Sequence, residues 1–90
     1  MTYRLEFRPS AIKDLCDLPG DVQVRIAARF DHLAEDPRRP GTQSLRGPLY
    51  PWRKLRVGDY RVVFKIAGEE IQVLGIIHRK KVYEKIGRRM

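Results

Sequence analysis

Tyr3, Leu5 and Phe7 alternate with Arg4 and Glu6, and this period of two predicts a first strand. Pro9 suits the first turn of a helix, and Ile12, Leu15, Cys16 and Leu18 follow at helical spacing. Pro19-Gly20-Asp21 breaks that helix, with Asp21 placed to cap the next. Val22, Ile26, Phe30 and Leu33 recur at steps of three and four, which predicts a longer amphipathic helix ending near Glu35, its apolar stripe reserved for the core. Asp36-Pro37-Arg38-Arg39-Pro40-Gly41 reads as a loop.

From Trp52 onward the pattern changes to hairpins. Gly58-Asp59 and Gly68-Glu69 each sit between strand-like runs and suit two-residue loops. That register pairs Val57 with Tyr60, Arg56 with Arg61, Leu55 with Val62 and Lys54 with Val63. Across the second turn Ile66 meets Ile71, Phe64 meets Val73 and Val62 meets Gly75. Alternation then gathers Leu55, Val57, Tyr60, Val62, Phe64, Ile66, Ile71, Val73 and Ile77 on one core face. The sum is an α+β fold. Two N-terminal helices pack on a mostly antiparallel four-stranded sheet, in the order strand, helix, helix, strand, strand, strand, with a short C-terminal helical segment. Residues 1–90 make one domain, whose folding buries only roughly 60–65% of the unfolded chain's surface.

The opposite face carries Lys54, Arg56 and Arg61, flanked by Trp52 and Lys65. Arg56 directly opposite Arg61 destabilises a sheet unless an anion lies between them. Val63, Leu74 and Ile76 share this face and need a cover, either the C-terminal segment or a partner. Charge sharpens the picture. Residues 1–45 hold seven Lys/Arg and seven Asp/Glu, whereas residues 46–90 hold twelve and four, which is the whole net charge of +8. Such segregation points to a polyanionic partner. No run of eighteen apolar residues occurs and the N-terminus lacks an apolar signal core, so the chain is expected to be cytoplasmic, without a membrane partner. Cys16, the lone cysteine, fits a reducing compartment and reads as a small apolar filler on its helix.

The candidate chemistry narrows by residue type. His32 and His78 lie far apart with no acidic pair beside either, so no metal site is expected. No phosphate-cradling glycine loop is present, and Asp59, Glu69 and Glu70 fall in tight turns. No cofactor is therefore expected. Lys, Arg, Tyr and His remain, a set suited to RNA cleavage by its own 2′-hydroxyl. There the protein need only orient the nucleophile, neutralise the phosphorane and move two protons. Arginine's planar fork matches phosphate oxygens.

Leu45-Arg46-Gly47, Lys54-Leu55-Arg56-Val57-Gly58-Asp59-Tyr60-Arg61-Val62-Val63-Phe64 and His78-Arg79-Lys80-Lys81-Val82-Tyr83 together resemble the signature of RelE/ParE toxins. Leu5-Glu6-Phe7, Ala11 through Leu18-Pro19 and Leu33-Ala34-Glu35-Asp36-Pro37 agree with it, so the resemblance spans nearly the whole chain. It implies a toxin of a type II toxin–antitoxin module, a metal-independent endoribonuclease acting on mRNA in the ribosome and held inactive by a cognate antitoxin. By motif position it implies catalytic roles for Lys54, Arg56, Arg61, Arg79 and Tyr83, and RNA contacts from Arg53, His78, Lys80 and Lys81. Trp52 stands where some relatives carry another lysine, which leaves the general base open. Arg79 resembles an arginine assigned to leaving-group stabilisation, though it precedes Tyr83 by four residues, fewer than in the relatives. Two other readings share this fold: a ParE-like DNA gyrase poison without nuclease activity, and a relic that only binds RNA or its antitoxin.

Overall fold

Two glycine turns set the centre of the fold. In the computed structural model, which describes residues 2–89, Gly58 and Gly68 lie at φ of 58° and 62°. A positive φ at the first central position of a two-residue loop matches the twist of the strands it joins. In chain order the elements are β1 (Arg4–Phe7), α1 (Pro9–Cys16), α2 (Gly20–Glu35), β2 (Thr42–Ser44), β3 (Arg53–Val57), β4 (Tyr60–Ala67), β5 (Glu70–His78) and α3 (Val82–Arg89). The expected α+β class holds, but the sheet has five strands rather than four, in the order β1-β5-β4-β3-β2. β1 runs parallel to β5, and the other pairings are antiparallel. The added strand, β2, is three residues long and sets Gln43 opposite Lys54. So short a run carries too little alternation to announce itself.

Between β3 and β4 the expected register is observed, with Arg56 facing Arg61 and Lys54 facing Val63. Between β4 and β5 it holds from the turn to Phe64↔Val73 and then slips. Val63 pairs with Gly75, and Val62 with Ile76 rather than with Gly75. Leu74 is the extra residue of a β-bulge, and beyond it every β5 side chain changes face. Ile76 therefore joins the core under α1 and α2, while Ile77 lies on the other side, the reverse of the uninterrupted alternation.

The larger core packs Ala11, Ile26, Phe30 and Leu33 against Leu55, Val62, Phe64, Ile71 and Val73. Phe7 meets Phe30 edge to face, with ring centres 5.0 Å apart. Three local expectations change. The α2 helix starts at Gly20 with Pro19 in the cap position, so Asp21 lies within its first turn and provides no cap bond; its charge still complements the helix dipole there. On α1 Ala11 is buried and Leu15 partly buried against the core, whereas Ile12 is 53% exposed. Cys16 is exposed as well and fills no core space.

A second apolar cluster occupies the opposite face. Val82 and Ile86 of α3 cover Val63, Leu74 and Ile77, beside Leu45 and Trp52. The chain thus supplies its own cover for the strip that the alternation had left bare, and that strip is no open docking surface. Arg8 and Lys65 place their charges 5.2 and 5.1 Å from the Trp52 ring centre.

The bulge is held from α1. β1 stops at Phe7, and beyond the Arg8 amide, which donates to Val73 O at 3.0 Å, that edge of β5 has no neighbouring strand. Two α1 side chains take the place of one. Ser10 Oγ donates to Leu74 O at 2.6 Å, and the Ile76 amide donates to Asp14 Oδ2 at 3.0 Å. Arg89 of α3 closes on the same carboxylate, with Nη1 to Oδ2 at 2.7 Å and Nη2 to Oδ1 at 3.0 Å. The hydrogen bonds from Asp14, reinforced by its charge, hold the Arg89 pKa above the usual arginine value against the opposing effect of burial. Gly75 leaves the room for this fork: a Cβ there would overlap the Arg89 guanidinium and lie 2.8 Å from Asp14 Oδ2.

Asp14→Ala strips Arg89 of its partner and the Ile76 amide of its acceptor, and should cost about 2–4 kcal/mol in urea unfolding. Gly75→Ala should cost about 1–3 kcal/mol by overpacking. Most of that cost should disappear in an Arg89→Ala background, a coupling that a double-mutant cycle measures directly.

Candidate functional site

Lys54 and Arg56 are two residues apart on β3, and Arg61 sits across from Arg56 on β4, so all three project from the α3 face of the sheet. Arg61 is fixed from below. Its Nη1 donates to Gly58 O at 3.0 Å and to Tyr60 O at 2.9 Å, which leaves the rest of the fork to donate elsewhere. Partial burial is the first cause lowering the Arg61 pKa, followed by the charges of Arg56 and Arg79, with Asp59 opposing them. An arginine so perturbed still carries its charge at neutral pH.

The turn after β5 brings Arg79 to the same end of the sheet. Its amide donates to Asp59 O at 2.8 Å, and its Nε lies 3.7 Å from Asp59 Oδ1. Tyr83, at the start of α3, leans over Lys54. The ammonium donates to the phenol oxygen at 3.2 Å and lies 5.3 Å from the ring centre. Tyr83 stays 60% exposed, so its own O–H is available to a third group. A cleft of about 370 Å³, lined by Thr42, Gln43, Lys54, Arg56 and Arg61, opens beside the cluster. It has the charge and donor set to hold a phosphodiester and to stabilise added negative charge on it.

Five residues singled out in the sequence thus converge: Lys54, Arg56, Arg61, Arg79 and Tyr83. The four assigned to RNA contacts divide. Lys80 and Lys81 are exposed in the turn between β5 and α3, where Lys81 Nζ lies 3.9 Å from Glu84. His78 pairs with Tyr60 across β4–β5 and meets its ring edge to face at 5.6 Å, so it lies on the other side of the sheet from Arg61. Its Nδ1 accepts the Lys80 amide at 3.2 Å, which leaves the proton of the neutral ring on Nε2. Arg53, adjacent to Lys54, points the opposite way and donates from Nη2 to Thr42 Oγ1 at 3.1 Å. Strand alternation alone separates Arg53 from Lys54 once the register is known. Gln43 and Arg46 had no assigned role, yet Arg46 lines a second hollow with Gln43, Lys54 and Tyr83. Arg46 carried a signal as part of the Leu45-Arg46-Gly47 motif, whereas Gln43 carried none.

Among the described residues no helix is long and apolar enough to cross a membrane. The family profile described as the ParE toxin of type II toxin–antitoxin system, parDE, matches residues 5–83. Toxin RelE3 of Methanocaldococcus jannaschii is 24% identical over 82 residues, covering 87% of this chain and 92% of the relative. A chain of the toxin–antitoxin complex RelBE2 from Mycobacterium tuberculosis superposes with a TM-score of 0.80 at 27% identity, over 88% of this chain and 100% of that one. A chain of the archaeal RelE–RelB complex from Pyrococcus horikoshii gives 0.74 at 28% identity, over 88% and 97%. With the α+β sheet, its basic face and a profile match over most of its length, this chain belongs to the RelE/ParE family of toxins from type II toxin–antitoxin systems.

Proposed function

We propose that this toxin is a ribosome-dependent, metal-independent endoribonuclease that cleaves mRNA and so inhibits translation. The observation that carries the reading is the convergence of Arg56, Arg61 and the Lys54–Tyr83 pair on one sheet face. RNA brings its own nucleophile. The 2′-oxygen forms a bond to phosphorus, the bond from phosphorus to the 5′-oxygen breaks, and the products carry a 2′,3′-cyclic phosphate and a 5′-hydroxyl. Arg61, held by its turn carbonyls, and Arg56 beside it bind the non-bridging oxygens where charge accumulates. Arg79, near enough to depress the Arg61 pKa, adds positive charge at the same end. Lys54 and Tyr83 serve the two proton movements, one removing the 2′-hydroxyl proton and one delivering a proton to the 5′-oxygen. Lys80, Lys81 and His78 then belong to the surrounding RNA contacts, with His78 acting from the rim rather than within the cluster.

A cognate antitoxin is proposed as the second partner, since the relatives compared above include toxins solved together with RelB. With the apolar strip covered by α3, the attraction for that antitoxin falls on the net charge of +8, which suits an acidic segment that folds on binding. The parDE description of the matching profile favours one other reading, a gyrase poison without nuclease activity. The two readings give different damage in cells.

Arg61→Ala should lower mRNA cleavage about 100- to 1,000-fold, the usual effect of removing one charge-stabilising donor, while the circular dichroism spectrum stays native. Primer extension on mRNA from cells expressing the toxin reads the cuts, expected within codons. Growth arrest with intact mRNA and a DNA-damage response would sink the nuclease reading in favour of gyrase.

A further inference from the structure

The clefts around the cluster share lining residues. Lys54 and Gln43 line both the hollow with Arg56 and Arg61 and the next one, beside Arg46 and Tyr83. Ser44 lines that second hollow and also a third, of about 150 Å³, with Arg38, Tyr50 and Arg53. Ser44 bridges the two faces because β2 is the last strand of the sheet, so the path passes over an edge rather than through the core. Neighbouring strands lie about 4.8 Å apart. Arg61 on β4 is therefore about 10 Å across the sheet from β2, and the third hollow lies about another 10 Å along the strands, where Ser44 pairs with Arg53, three residues from Arg56.

The third hollow is built for an anion beside a flat ring. Arg53 Nη2 is anchored on Thr42, and its Nε is buried with no hydrogen-bond partner. Arg38 is exposed in the turn between α2 and β2. Among the described residues neither arginine takes part in an ion pair. Tyr50, held by the 3-10 turn of Gly47–Leu49, is 70% exposed. An exposed ring beside unpaired guanidinium groups is the composition of single-stranded nucleic-acid grooves, where bases stack and phosphates meet arginine. An acidic peptide would use the arginines but gain little from the ring.

We propose that Arg38, Tyr50 and Arg53 form a second subsite for single-stranded RNA, which holds the substrate strand outside the cleavage centre after it crosses the β2 edge. The subsite rests on the nuclease reading for its role but not for its existence. It gives Arg53 a place in RNA binding even though its side chain faces away from Lys54. The strand is gripped at two points, and the subsite at the edge determines how many nucleotides beside the scissile bond are held.

Fluorescence anisotropy of the intact protein with fully 2′-O-methylated RNA, which cannot be cleaved, tests this with a trinucleotide and a nonanucleotide. The parent protein should bind the nonamer more tightly. Tyr50→Ala and Arg38→Ala, both at exposed positions, should each weaken nonamer binding by about five- to a hundredfold, leave the trimer unchanged, and keep a native circular dichroism spectrum. Tyr50→Phe, which keeps the ring, should behave as the parent. Equal weakening of both lengths, no weakening of either, or a parent that does not prefer the nonamer overturns the subsite. So does a polyglutamate peptide that loses binding in these variants while the nonamer does not, an outcome that assigns the hollow to a protein. Cleavage of ribosome-bound mRNA by the same preparations separates the two readings. Cleavage with an unaffected nonamer removes the subsite alone, and a length-specific loss without parental cleavage removes the nuclease alone.

Discussion

The carboxylate of Asp14 holds together three parts of this toxin that are distant in sequence. It accepts the Ile76 amide at the point where β5 has lost its parallel neighbour, and it binds the Arg89 fork arriving from the other side of the sheet. A strand edge left bare inside a fold would carry unpaired amides at a cost of about 1–3 kcal/mol each. Asp14 and Ser10 meet that demand with side chains instead of another strand. The result is a β5 edge that is partnered as far as Ile76, first by β1 and then by a helix.

The bulge that this arrangement supports decides which face each later side chain takes. With Leu74 unpaired, Ile77 turns toward α3 and Ile76 toward α1 and α2. Ile77 together with Val63 and Leu74 then makes a continuous apolar bed for Val82 and Ile86. Docking there fixes the first turn of α3, and Tyr83 in that turn comes to rest over Lys54. Without the slip, His78 would stand on the cluster face and Ile77 on the core face. The position of the phenol therefore depends on a hydrogen bond formed on the far edge of β5.

Much of this was legible before any coordinates. The glycine turns fixed the β3–β4 register, and with it the shared face of Lys54, Arg56 and Arg61, because a two-residue loop leaves one choice of pairing. What escaped depended on contacts between distant residues. The bulge is held by Asp14, 62 positions from Ile76, and no local pattern encodes such a partner. Gly75 carried the only trace, a glycine inside a strand, which marks a bulge or a close approach and here marks both. β2 escaped for another reason: three polar residues gain strand geometry only from the edge of β3.

The basic face also explains why the fold needs so firm a brace. Arg56 and Arg61 stand opposite each other with Arg79 nearby, and the one carboxylate that acts on Arg61, that of Asp59, is already shared with Arg79. Repulsion of this kind destabilises the free protein and would be relieved by the polyanion proposed above, so the same charges that weaken the fold would strengthen such a complex. The α3 face can carry that load because its apolar half is buried under Val82 and Ile86 and its far end is tied to Asp14. Stability is concentrated in one half of the face and electrostatic strain in the other. Tyr83 and Lys54 lie on the boundary between the two halves, where the proposed phosphate contacts would meet a rigid support.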